Sequence, residues 1–127
     1  MFPARWLPLL LLASPVAADV GRPLSPLGSD IAATSGVTLP DCGIAVTPGE
    51  IEAALRCADA ALRNNLPFVA QVRIDGVDSV VWQAAIQLPS GRRLLLQHDS
   101  FGFGRRTQAS CRTFSFTDAL LPIRCEH

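Results

Sequence analysis

The chain contains no lysine, has two histidines, and shows no excess of either charge: eleven arginines face eleven Asp and Glu residues over 127 positions. That balance lacks the basic footprint a nucleic-acid partner demands, so none is expected. The use of arginine alone for positive charge reflects genome composition and carries no function. After the N-terminal stretch, charged residues or Pro, Gly and Asn interrupt every apolar run, and no membrane span is expected in the mature chain. There is no Cys-x-x-Cys pair, no Gly-x-Ser-x-Gly elbow, and neither asparagine opens an Asn-x-Ser/Thr acceptor.

The N-terminus does carry the pattern of an export signal. Arg5 precedes an apolar run from Trp6 to Ala13 and then small residues, with Val16 and Ala18 where a signal peptidase takes small side chains. The run is under half of the roughly 20 residues a membrane-spanning helix needs. Cleavage following Ala18 is therefore expected, and no cysteine stands there to take a lipid. The expected organisation is a signal peptide over 1–18, a flexible Pro/Gly/Ser-rich leader over 19–40, and one small domain over 41–127. Loss of Arg5 leaves ten arginines against eleven carboxylates, a net charge of minus one. The protein is expected in the periplasm or secreted.

Four cysteines, Cys42, Cys57, Cys111 and Cys125, form an even set in an exported chain, which favours two disulfides. Zinc sites use closer ligand pairs than these, so no metal is expected at them. Of three connectivities, the local set of Cys42 with Cys57 and Cys111 with Cys125 is preferred, on the assumption that short loops close first. Each closure contributes about 3 kcal/mol by the chain-entropy estimate.

Thr47-Pro48-Gly49-Glu50 is a helix-start signature, and Ile51, Leu55, Ala58 and Leu62 recur on one helical face until Asn64-Asn65 and Pro67 end it. A helix over 48–64 follows. The period then changes to two, with Phe68, Ala70, Val72 and Ile74 on one buried face. Turns at Asp75–Ser79 and Pro89–Arg92 separate strands expected at Phe68–Asp75, Val80–Leu88 and Arg93–His98. A fourth strand is expected over Thr107–Thr117 and a short fifth near Ile123–Cys125. In the second strand Val80, Trp82, Ala84, Ile86 and Leu88 take one face, and Trp82 is expected in the core against the helix, as are Phe114 and Phe116. The expected fold class is α+β, one helix packed on a four- to five-stranded antiparallel sheet, stapled by two disulfides.

The stretch QHDSFGFGRR sets His98, Asp99 and Ser100 side by side. On a strand, neighbours point to opposite faces, and His98 and Ser100 stand nearly 7 Å apart at about 3.3 Å per residue, so they cannot form a nucleophile–base pair. A hydrolase or transferase site built on His98 and Asp99, borrowing Asp78 or Asp118 from nearby turns, is the alternative to a non-catalytic reading. The glycines lack the Lys-Ser/Thr ending of a phosphate loop and read as a bend. Phe101 and Phe103 with Arg105 and Arg106, and across the preceding hairpin Arg92 and Arg93, are the candidate interface, being residue types that anchor protein contacts. The competing reading tucks one of the two phenylalanines under the loop. No cofactor and no metal are expected.

In general plan, a helix followed by an antiparallel meander with two disulfides, the chain resembles cystatin-like and related small secreted domains. Gln71-Val72-Arg73-Ile74-Asp75 departs from the cystatin loop, and Cys57 on the helix is not a cystatin feature. Cys57, Leu66-Pro67-Phe68 and Gly76-Val77-Asp78-Ser79 are similar to a set of uncharacterised exported bacterial proteins, over about residues 50 to 100. This resemblance implies a fold and no activity. The functional expectation is a non-catalytic binding or accessory module of the cell envelope. It would meet a protein or cell-envelope partner through the loops near Gly76 and Phe101–Arg106.

Overall fold

A computed structural model describes residues 24–102 and 104–127. The expected signal peptide and the start of the expected leader lie outside the described residues. Two helices, α1 (Gly28–Ser35) and α2 (Pro48–Arg63), accompany seven strands: β1 (Asp41–Ala45), β2 (Phe68–Asp75), β3 (Val80–Gln87), β4 (Arg93–Asp99), β5 (Arg105–Cys111), β6 (Thr113–Phe116) and β7 (Ile123–Glu126). The first five strands form one sheet in sequence order, and β6 and β7 form a separate two-stranded ribbon.

The start of α2 follows from its residues. Thr47 Oγ1 accepts from the Glu50 backbone N–H at 3.2 Å, and Glu50 Oε1 accepts from the N–H groups of Thr47 and Val46, both at 3.0 Å. Two donors that the first helical turn leaves open are thereby used, and the N–H of Val46, just ahead of the cap, is bonded as well. Thr47→Ala should cost about 1 kcal/mol, read as a lower urea midpoint at unchanged slope. A midpoint that does not move would show the helix start to be held by packing alone. The buried residues of α2 are Ala54 and Ala58, while Ile51 and Leu55 are only half-buried. Small side chains let the helix settle close on β1 and β2, and its larger apolar residues look sideways.

The sheet is mixed, not purely antiparallel as expected. β1 runs parallel to β2, with Ile44 opposite Gln71 and Ala45 opposite Val72, and a register shift between Asp41 and Ile44. Parallel neighbours require a crossover, and α2 supplies it. The pairs β2–β3, β3–β4 and β4–β5 are antiparallel. The expected strand over 107–117 is two strands. The Arg112 N–H donates to the Glu126 carbonyl at 2.7 Å while the register sets Thr113 opposite Glu126. Two residues facing one is a β-bulge, and it turns the chain off the sheet edge and back over the sheet face.

Both faces of the sheet are covered. On one, Phe68, Ala70, Val72 and Ala85 pack with Ala54 and Ala58 of α2 and with Phe114 and Ile123 of the ribbon. Phe68 meets Phe114 edge-on, with ring centroids 6.3 Å apart. On the other, Trp82, Ala84, Ile86, Leu94 and Leu96 pack with Leu27 and Leu39. Two expectations change here. Trp82 is buried, but on the side away from α2. Residues 24–40, expected within a flexible leader, contain α1 and bury Leu27 and Leu39, because the second sheet face is apolar and needs a cover. Arg106 Nη1 lies 3.4 Å from Asp30 Oδ2 and ties β5 to α1.

The disulfides are Cys42–Cys57 and Cys111–Cys125, the preferred connectivity. The first fastens edge strand β1 to α2, and the second fastens the end of β5 to β7. Two disulfides suit an oxidising compartment outside the cytoplasm. No described helix is long and apolar enough to cross a membrane.

Candidate functional site

The stretch around His98 is a strand end closed by its own polar groups. Asp99 Oδ1 accepts from the Phe101 N–H at 2.9 Å. Ser100 Oγ accepts from the Val80 N–H at 2.7 Å, and the Ser100 N–H donates to the Val80 carbonyl at 3.0 Å. Gly102 and Gly104 have φ of 68° and 85°, left-handed values that favour glycine. A Cβ on Gly104 would stand 3.4 Å from His98 Nε2, so the loop folds closely over the ring.

His98 lies opposite Trp82 on one side and Arg106 on the other, on the α1 face of the sheet, while Asp99 points to the α2 face. Asp118 belongs to the loop between β6 and β7, which also lies on the α2 side, and the sheet separates it from His98. Among the described residues no three His, Cys, Asp or Glu side chains gather as metal ligands would.

The described residues of the candidate interface are not brought onto one surface. Arg93 and Asp99 stand at opposite ends of β4, about 20 Å apart at 3.3 Å per residue, so Arg92 and Arg93 lie far from Phe101 and Arg105. Arg93 is also engaged inside the fold: its Nε donates to Gln87 Oε1 and its Nη1 to the Arg112 carbonyl, both at 2.7 Å. Arg106 pairs with Asp30, and Arg92 and Arg105 are exposed. Phe101 is 66% exposed and is not a core plug, and Phe103 lies outside the described residues. The turn carrying the fully exposed Val77 is at the same sheet end as Phe101, since Ser100 bonds Val80.

A concavity lies elsewhere among the described residues. A groove of about 1000 Å³ runs between α2 and β6. Ile51 and Leu55 form its helix wall, Phe114, Phe116 and Leu120 the hairpin wall, and Ile74 at the end of β2 joins them. The arginines along it are matched: Arg56 lies 3.4 Å from Glu52, Arg63 2.8 Å from Asp59, and Arg73 3.1 Å from Asp75. Asp118, at the hairpin end of the groove, has no ion-pair partner among the described residues. The groove is thus apolar inside, with one uncompensated carboxylate at its rim.

The hairpin wall is held by a residue that sequence reasoning passed over. Gln83, 1% exposed, donates from Nε2 to the Ile123 carbonyl at 2.9 Å and to Gln97 Oε1 at 3.1 Å. Its Oε1 accepts from the Ile123 N–H at 3.1 Å. One side chain therefore pairs with both backbone groups of Ile123, as a neighbouring strand would. In sequence, a glutamine alternating with apolar residues reads as a solvated position, and nothing local marks it as buried. The chain matches no protein-family model, no curated protein and no solved structure.

Proposed function

We propose that this protein is a non-catalytic binding module that works outside the cytoplasm, in the periplasm or secreted, and engages its partner in the groove between α2 and β6. The groove itself carries this reading: its volume is at the upper end of the roughly 300–1,000 Å³ typical of ligand sites, and its lining is apolar with polar groups at the rim. The two disulfides support an exported setting. Against a hydrolase or transferase at His98 and Asp99 stands the geometry of those residues, which sit on opposite faces of the sheet and have Asp99 occupied in its turn.

The test is photo-crosslinking in the native host, with the photoreactive residue placed at Arg56 on the groove rim or at Arg92 at the far end of the sheet. An adduct is expected from position 56 and not from 92, and it should persist in a His98→Ala background. Equal adducts from both positions, or loss of the adduct on His98 substitution, would overturn the groove as the functional site.

A further inference from the structure

Building on the binding reading above, we infer that the groove takes an extended peptide segment that adds as a third strand to the free edge of β6, with alternate apolar side chains and a cationic residue near Asp118. The edge follows from the register. The Thr117 N–H donates to the Pro122 carbonyl at 2.9 Å, and β6 pairs with β7 at Thr113–Glu126, Phe114–Cys125, Ser115–Arg124 and Phe116–Ile123. In an antiparallel pair the residues whose main-chain groups face the partner alternate. Thr113, Ser115 and Thr117 therefore face β7, and the N–H and C=O groups of Phe114 and Phe116 face away from it.

Away from β7 means into the groove. Phe114 packs on Phe68 of β2, Ile123 bonds Gln83 of β3, and α2 packs on β1 and β2, so β6 lies between β7 and α2. No described strand other than β7 pairs with β6. An unpaired strand edge is a template for an added strand, and main-chain bonding with apolar pockets for alternate side chains is a recurring mode of peptide capture. Here Ile51, Leu55 and Ile74 are the apolar surface such side chains would meet. The charge is complementary too. Every arginine along the groove has its carboxylate, and the one left over is Asp118, which favours a cation at that end.

The probe is the synthetic peptide acetyl-Lys-Val-Thr-Val-Thr-Val-amide, titrated against the full oxidised chain, with amide hydrogen exchange followed by NMR. Binding should slow exchange at the Phe114 and Phe116 N–H groups. An analogue N-methylated at alternate positions, with the same side chains, should bind at least about tenfold more weakly, because the methyl groups remove the main-chain donors that would pair with β6. Glutamate for the lysine should weaken binding, and Asp118→Asn, an exposed change, should abolish that difference. Equal affinity of the methylated analogue, binding without protection of the two amides, or no binding at all would overturn the peptide inference. Rim crosslinks at Arg56 to a small molecule would in that case leave the groove standing as the site.

Discussion

Reducing both disulfides should unfold the domain at a temperature where the oxidised chain is fully folded. Cys42–Cys57 spans 15 positions and Cys111–Cys125 spans 14, and a loop of that length contributes about 3 kcal/mol by restricting the unfolded chain. The bridges tie opposite edges of the sheet, so their contributions should add, to about 6 kcal/mol. A small domain has about 5–15 kcal/mol in all. A total toward the low end of that range is expected here, because the fully buried residues of α2 are only Ala54 and Ala58, which bury little apolar area. Thermal unfolding with and without reductant measures the pair. The variants Cys42→Ser with Cys57→Ser, and Cys111→Ser with Cys125→Ser, measure each bridge and should each lose about half. A reduced chain that melts within a degree or two of the oxidised one would show that the core alone suffices, and would remove the strongest physical support for an oxidising compartment.

The features legible in the sequence are those set by near neighbours. Thr47, Pro48 and Glu50 announce α2 because a capping box is written within four residues, and Asn64 ends it by donating from Nδ2 to the Ala60 carbonyl at 2.7 Å. The period-two runs of β2, β3 and β4 survive because short turns fix their pairing. The disulfides follow the same logic, each closing a short loop. What was hidden depends on distant partners. The parallel pairing of β1 with β2 joins residues on either side of a whole helix, and a strand of five residues with a register shift shows no alternation to read. α1 is a short helix with no buried residue of its own, held through Leu27 beside it and Ile31 within it, so its sequence carries a weak period.

The candidate site was less legible than the fold, for a related reason. A groove exists only where two elements fail to close on each other, and α2 and the hairpin are brought together by the bulge at Arg112 and by Gln83, neither of which has a local signature. The conspicuous residues pointed elsewhere. QHDSFGFGRR gathers reactive side chains in sequence, and the strand then spreads them over two faces. Phe101 is exposed, while Arg93, of the same candidate set, is engaged by Gln87 and Arg112 in the fold. Residue type alone does not tell which side chains the fold leaves exposed and which it engages.

Gln83→Leu should loosen the β6–β7 ribbon selectively and take the groove wall with it. A two-stranded ribbon is marginal alone in water and depends on what it packs against. Here it rests on Phe114 and Ile123, and Gln83 supplies both hydrogen bonds to the Ile123 backbone inside that apolar contact. Leucine has similar bulk but no polar atoms, so the buried N–H and C=O of Ile123 would lose their partners, at about 1–3 kcal/mol each. The expected loss is therefore about 2–6 kcal/mol in urea unfolding. Amide exchange should quicken at Ser115 and Arg124 well before it does in β3 and β4, since the sheet keeps its own pairing. Cys111–Cys125 would still tether β7 to β5, so removing that bridge in the same chain should cost more than the two separate losses predict. A loss below about 1 kcal/mol with unchanged exchange in the ribbon would show Gln83 to be a spectator. The apolar packing of Phe114 and Ile123 would then have to hold the groove open unaided.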